Sequence, residues 1–307
     1  MVIIMAIKKV GIIGMGALGL LFGDIIQKNM GEGVVEFIMD SRRYFKHKNE
    51  KYFINGIQKN FVLRNCNDHP EYDLIIVATK YNGLMDAAEQ AIMCMNQQTI
   101  VISLLNGIIS EKIIARKVDD LHIIRSVAIG MDALRDGNRL DYGHTGVIQF
   151  GSITPPQQKL CDDLEYFFQI SGVPHERKED ILHAMWGKLL LNVGINQTCM
   201  VYDTTYSGAL TIPAARQDMF DAMHEVIAVA QAENISLTEQ DFEYYVSTLD
   251  DLVPDSYPSM RQDRLAHRRS EVDLFAGTIL KLAKKHGIDT PVNQKYYDKV
   301  LEIESQY

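Results

Sequence analysis

Lys9-Val10-Gly11-Ile12-Ile13 ends in a short, almost unbroken apolar run, the pattern of a strand buried on both faces of a parallel sheet. Similar runs recur at 34–39, 74–78, 100–104 and 123–129. Amphipathic helical patterns fall between several of them, notably at 84–95 and 110–118. Strands alternating with helices predict a doubly wound parallel sheet. The segment 139–152, with Gly143, Gly146 and Gly151, breaks into short alternating pieces and predicts a terminal hairpin on that sheet. Beyond Pro155-Pro156 the period turns helical, over 157–171, 181–201, 214–233, 238–249, 263–286 and 292–305. The expected class is therefore α/β, with an N-terminal Rossmann-type doubly wound sheet followed by an all-helical C-terminal domain. The charged piece His175-Glu176-Arg177-Lys178-Glu179-Asp180 sets the boundary, giving domains 1–178 and 179–307. In such an arrangement a ligand is expected in the cleft between the halves.

Composition narrows the functional classes. The chain has 307 residues, 47% apolar and 23% charged, with 31 Lys+Arg against 40 Asp+Glu and a net charge of −9. That balance excludes a disordered tail or a fibrous repeat, and supplies no positive field for nucleic acid or an anionic membrane. An anionic ligand must be held by local groups such as helix N-termini and a few placed cations. Cys66, Cys94, Cys161 and Cys199 show neither CxxC spacing nor a histidine at metal-site distance, so reduced, buried thiols and no metal are expected. The apolar run Val2 to Ile7 is followed by Lys8-Lys9 without a small-residue cleavage site, and elsewhere no run of about 18 apolar residues suits a membrane span. A cytoplasmic location is expected.

Three motifs carry candidate chemistry. Gly14-Met15-Gly16-Ala17-Leu18-Gly19 directly follows the first strand and opens a helix. Gly14 permits a tight turn, Gly16 lets the backbone approach a pyrophosphate, and Gly19 allows close helix–strand packing. At the end of the second strand, Asp40 is placed to accept ribose hydroxyls, favouring NADH, while Arg42 and Arg43 suit a 2′-phosphate and favour NADPH. In the helical half, Lys188, Asn192 and Asn196 stand at i, i+4 and i+8 on an otherwise apolar helix. An exposed polar face would explain the stripe, but two asparagines among Leu, Val and Ile are costly to bury unless a ligand satisfies them. Lys80 and Asn106 lie just past strand ends, where ligands bind in this architecture, although Asn106-Gly107 is also a common turn dipeptide. Ser259, after Pro258, reads as a helix cap, and Glu271 as a solvated carboxylate within the long helix that follows.

Together these residues resemble the ketopantoate reductase (2-dehydropantoate 2-reductase) family nearly end to end. The resemblance rests on the glycine turn, Ala78-Thr79-Lys80, Asn106-Gly107, Trp186-Gly187-Lys188 with Asn192 and Asn196, and Pro258-Ser259-Met260-Arg261-Gln262-Asp263 leading into Arg269-Ser270-Glu271-Val272-Asp273. It implies NADPH-dependent reduction of 2-ketopantoate to D-pantoate, a step of pantothenate and coenzyme A synthesis. Lys188 would be the general acid and Glu271 its partner or a ligand of the cofactor ribose. Asn192 and Asn196 would bind the hydroxyl and carbonyl side of the substrate, and Ser259 its carboxylate. Lys80 and Asn106 would line the nicotinamide end, with Asn106 also reaching the substrate. Two positions depart from the family pattern: Asp40 replaces a frequent arginine, and Ser207 stands where some members carry a substrate-binding asparagine. Both suit a rival reading, an NADH-dependent D-2-hydroxyacid dehydrogenase acting on another branched or aromatic 2-ketoacid. A non-catalytic dinucleotide sensor is a second rival, but it would need neither Lys188 nor Glu271. The apolar helix at 220–232 suits a homodimer interface or an internal core equally.

Overall fold

A computed structural model describes residues 7–307; the apolar stretch 2–6, weighed above as a targeting segment, lies outside the described residues. The chain forms two compact units, one running to Asn106 and resuming over Ser110–Ile181, the other made of Gly107–Ile109 and Leu182–Tyr307.

The first unit contains strands β1 (Val10–Ile13), β2 (Val35–Met39), β3 (Tyr52–Ile54), β4 (Ile57–Lys59), β5 (Val62–Asn65), β6 (Tyr72–Val77), β7 (Met95–Ser103), β8 (Ile123–Met131), β9 (Leu134–Asp136), β10 (Arg139–Asp141), β11 (Thr145–Gly151) and β12 (His175–Arg177). Eight of them form one sheet in the order β12-β11-β8-β7-β6-β1-β2-β5. From β5 to β8 every pairing is parallel, and β11 runs antiparallel to β8. The apolar runs are continuous because each strand feeds a core on both faces. Ile12, Phe37, Leu74, Ile76 and Ile102 pack on one side with helix α1 (Ala17–Met30). Ile13, Ile38, Ile75, Val77 and Val101 pack on the other with residues 84–91 and Ile114. Each such fully buried side chain contributes about 1.5–3 kcal/mol before entropy is counted. Helices α2 (Ser41–His47), α3 (Leu84–Met93), α4 (Ser110–Ile114) and α5 (Gln158–Ser171) complete the unit.

One expectation is corrected here. The segment 139–152 is not one hairpin. β11 joins the main sheet, while β10 pairs with β9 and β3 in a separate four-stranded sheet, β4-β3-β10-β9. Lys59 on that small sheet reaches the buried Asp24 of α1 at 2.7 Å, tying the sheet to the helix after the glycine turn. The charged piece at 175–180 contains β12, which pairs with β11, and the first unit ends just beyond it at Ile181.

The second unit is helical: α6 (Ile181–Val201), which begins in the first unit, α7 (Tyr206–Thr211), α8 (Pro213–Ala232), α9 (Glu239–Ser247), α10 (Ser259–Leu265), α11 (Ala276–His286) and α12 (Pro291–Glu304). α8 opens with proline at its first position, where a missing N–H costs nothing. Its apolar face, including Met219, Met223 and Val226, is buried. The long helix expected over 263–286 is broken: α10 ends at Leu265, and α11 starts only at Ala276. Among the described residues, no helix is long and apolar enough to cross a membrane.

Candidate active site

In the first unit, the glycine turn has the stereochemistry its spacing predicts. Gly14 has φ +110°, and a Cβ there would stand 2.5 Å from the Ala78 carbonyl oxygen. A Cβ on Gly19 would stand 2.0 Å from the Gly14 carbonyl oxygen, so only glycine closes this turn onto α1. Gly16 is the N-cap of α1, with no side-chain cap for the first N–H groups. Nearby, the Thr79 hydroxyl is buried without a hydrogen-bond partner among the described residues. A backbone cradle with uncapped N–H groups fits a dinucleotide pyrophosphate. Lys80 is exposed and caps the short 3-10 turn Tyr81–Gly83, and Asn106 is half-buried where the chain passes into the second unit.

The residues after β2 divide into two groups. Asp40 is the N-cap of α2: its Oδ1 accepts from the Arg43 N–H at 2.8 Å, and its Oδ2 lies 3.6 Å from Arg43 Nε. A cavity of about 220 Å³ beside the turn is lined by Gly14, Met15, Ile38, Met39, Arg43, His47, Tyr52 and Arg135. Arg43 and His47 share one face of α2, four residues apart. Arg42 is exposed, and neither it nor Asp40 lines the cavity. His47 lies 2.8 Å from Glu50 and holds that carboxyl below the usual range. The sequence reading missed His47, Tyr52 and Arg135, because β3 and β9, which carry Tyr52 and Arg135, gave no periodic signal.

In the second unit, α6 is buried nearly all round, so its polar stripe is conspicuous. Lys188 is half-buried, Asn192 is 8% exposed and Asn196 6%. Gln197, on another face, is satisfied by the Val193 carbonyl and by the Ala276 N–H. Packing fixes the helix rotation that presents this stripe. A Cβ on Gly194 would meet Met223 at 2.7 Å, and one on Gly187 would meet the Tyr245 hydroxyl at 2.0 Å. Tyr245 therefore lies against the residue preceding Lys188, a neighbour that only the fold reveals. Burial drives the Lys188 ammonium down from its ordinary 10.5 to about 8, against an upward pull from the Glu271 carboxylate.

Glu271 is not on a helix. It sits in the turn between α10 and α11, where its carbonyl accepts from the Leu274 N–H at 2.9 Å. The preceding Ser270 is anchored to Glu304 of α12 through its N–H at 2.7 Å and its hydroxyl at 2.6 Å. Gly107, at φ +90°, comes close to the same turn: a Cβ there would lie 3.2 Å from the Leu274 carbonyl oxygen. Ser259 is not a cap either. Pro258 occupies the N-cap position, and Ser259 is the exposed first residue of α10. Ser207 is the second residue of α7, its N–H bonded to the Pro254 carbonyl at 3.0 Å. Among the described residues no cluster of three or more His, Cys, Asp or Glu could hold a metal ion.

The model described as ketopantoate reductase PanE/ApbA matches residues 10–155, and its C-terminal counterpart matches residues 180–304. A 2-dehydropantoate 2-reductase from Streptococcus pyogenes serotype M1 is 24% identical over 284 residues, covering 91% of this chain and 92% of that protein. Among solved structures, D-mandelate dehydrogenase with NADH and anilino(oxo)acetate superposes with TM-score 0.86 at 23% identity, covering 97% of this chain and 98% of that one. A ketopantoate reductase from Staphylococcus aureus, described as dimeric, gives TM-score 0.80 at 19% identity, covering 97% and 99%. At these identities the structural likenesses establish the fold alone.

Proposed function

Since the chain belongs to the ketopantoate reductase family and is an oxidoreductase of that type, we propose that it reduces 2-dehydropantoate to D-pantoate, with NADPH as cofactor. The observation that carries this reading is the α6 stripe: a lysine pushed to about 8 beside Glu271, followed by two buried asparagines on the same face of an otherwise apolar helix. When bound, a nicotinamide cofactor would supply the hydride for the C2 ketone carbon. Lys188 stabilises the negative charge that gathers on the ketone oxygen and passes it the Nζ proton, then regains a proton from solvent. Glu271 favours the charged lysine, so the acid is loaded near neutral pH. Asn192 and Asn196 take the hydroxyl and carbonyl side of the substrate, a ligand that suits two buried amides. Ser259 takes the carboxylate. Gly14 to Gly19 hold the pyrophosphate, and Lys80 and Asn106 the nicotinamide end, with Asn106 also binding substrate.

Asp40 at the end of β2, together with Ser207, favours a second reading, an NADH-dependent D-2-hydroxyacid dehydrogenase for another 2-ketoacid. Lys188 has the same role in either case. Replacing it by Ala is expected to lower ketopantoate-dependent cofactor consumption by about 10²–10⁴-fold, with cofactor affinity, read by fluorescence titration, within about twofold. Turnover close to that of the parent would remove Lys188 from the chemistry.

A further inference from the structure

The cavity beside the glycine turn holds a cation that the fold delivers from far along the chain. Arg135 lies on β9, an outer strand of the small sheet, and lines the same cavity as Gly14, Met15 and Arg43. Its Nε donates to the Gly137 carbonyl at 2.9 Å, an anchor within its own turn. Among the described residues no carboxylate pairs with its guanidinium, so the two terminal nitrogens keep their donors for a ligand. The other charged groups around this cavity each have a carboxylate neighbour. Arg43 is held by Asp40, and His47 by Glu50, which also accepts from the Tyr52 hydroxyl at 2.9 Å. A cavity edged by the pyrophosphate turn and carrying an uncommitted guanidinium fork matches a phosphate on the adenosine ribose.

We infer that Arg135, with Arg43 lining the same cavity, is the residue that selects the 2′-phosphorylated cofactor, so selectivity is set from the small sheet together with α2. The inference rests on the nicotinamide-dependent reading above and assigns its cofactor preference to particular side chains. Asp40, which at the end of β2 would argue for NADH, spends one carboxylate oxygen capping α2 and turns the other toward Arg43. It thereby positions a phosphate-binding arginine. The small sheet acquires a purpose beyond covering α1, since the β9–β10 turn fixes where the Arg135 fork stands.

The test uses the full chain and two adenosine probes that carry no nicotinamide: adenosine 2′,5′-bisphosphate and adenosine 5′-monophosphate, titrated by calorimetry. The parent is expected to bind the bisphosphate about tenfold or more tightly than the monophosphate, the size of one charge-assisted phosphate contact. Arg135→Gln is expected to erase about tenfold of that preference while leaving monophosphate affinity within about twofold. Arg42→Gln, which removes an equal charge from the exposed face of α2, is expected to leave the ratio unchanged. No preference in the parent, an unchanged ratio in Arg135→Gln, or an equal loss in Arg42→Gln each overturns the assignment. A parent that prefers the bisphosphate yet turns over no 2-ketoacid would defeat the proposed reaction and leave Arg135 in place.

Discussion

Replacing Glu271 by Gln removes the one charge that raises the Lys188 ammonium against the burial that lowers it. With Lys188 at about 8, about nine-tenths of the enzyme carries the loaded acid at pH 7 and about one-tenth at pH 9. The protonated form reduces the ketoacid, so kcat/KM for reduction is expected to fall tenfold per pH unit above about 8. An opposite charge close enough to couple is worth about one pH unit or more. In Glu271→Gln the descending limb therefore moves to lower pH by at least about that amount, and reduction at pH 8 drops about fivefold or more. Well below the displaced limb, where Lys188 is charged in both proteins, the rates reconverge. The hydroxyacid oxidation reaction needs the neutral amine, so its ascending limb moves down with the same variant and its rate at pH 7 rises. The assay is steady-state kcat/KM in both directions from pH 5.5 to 10 at constant ionic strength. A limb that stays in place or moves upward would refute the coupling. A loss that persists at low pH would instead assign Glu271 to cofactor or substrate binding.

Two further outcomes are expected. Lys188→Met should stabilise the folded protein at pH 7 by up to about 3 kcal/mol, because the folded state holds the Lys188 proton less tightly than the unfolded chain does; denaturant titration checks the gain. For the same reason the parent should become more stable as pH rises from about 8 toward 10.5, a slope that Lys188→Met flattens. Gly19→Ala must move the Gly14 carbonyl away from a Cβ placed 2.0 Å from it; calorimetry is expected to show cofactor affinity reduced by more than about tenfold, as befits a distorted pyrophosphate cradle.

Much of this site was legible in the chain because its physics is local. Gly14, Gly16 and Gly19 act over six residues, and the stripe on α6 is a matter of helical period. The central strands announced themselves because both sides of Ile12-Ile13 and of Leu74 to Val77 are buried. The small sheet did not: β4 is exposed or half-exposed at all three positions and β9 exposed throughout, so neither has the alternation that marks a strand. The long helix drawn through 263–286 failed for the opposite reason. Val272, Leu274, Phe275 and Ala276 are all buried, yet they keep a helix-like density of apolar residues through a turn that no proline marks. Glu271, read as part of that helix, therefore lies in a turn. Arg135 was invisible because its relation to Gly14 is purely tertiary.

The most direct measurement of the central claim is a steady-state panel in which ketopantoate, 2-ketoisovalerate and benzoylformate are each offered with NADPH and with NADH. The expected result is the highest kcat/KM for ketopantoate with NADPH. Ketopantoate among the poorest substrates, with benzoylformate and NADH the best pair, would contradict the account and establish a D-2-hydroxyacid dehydrogenase on the same scaffold.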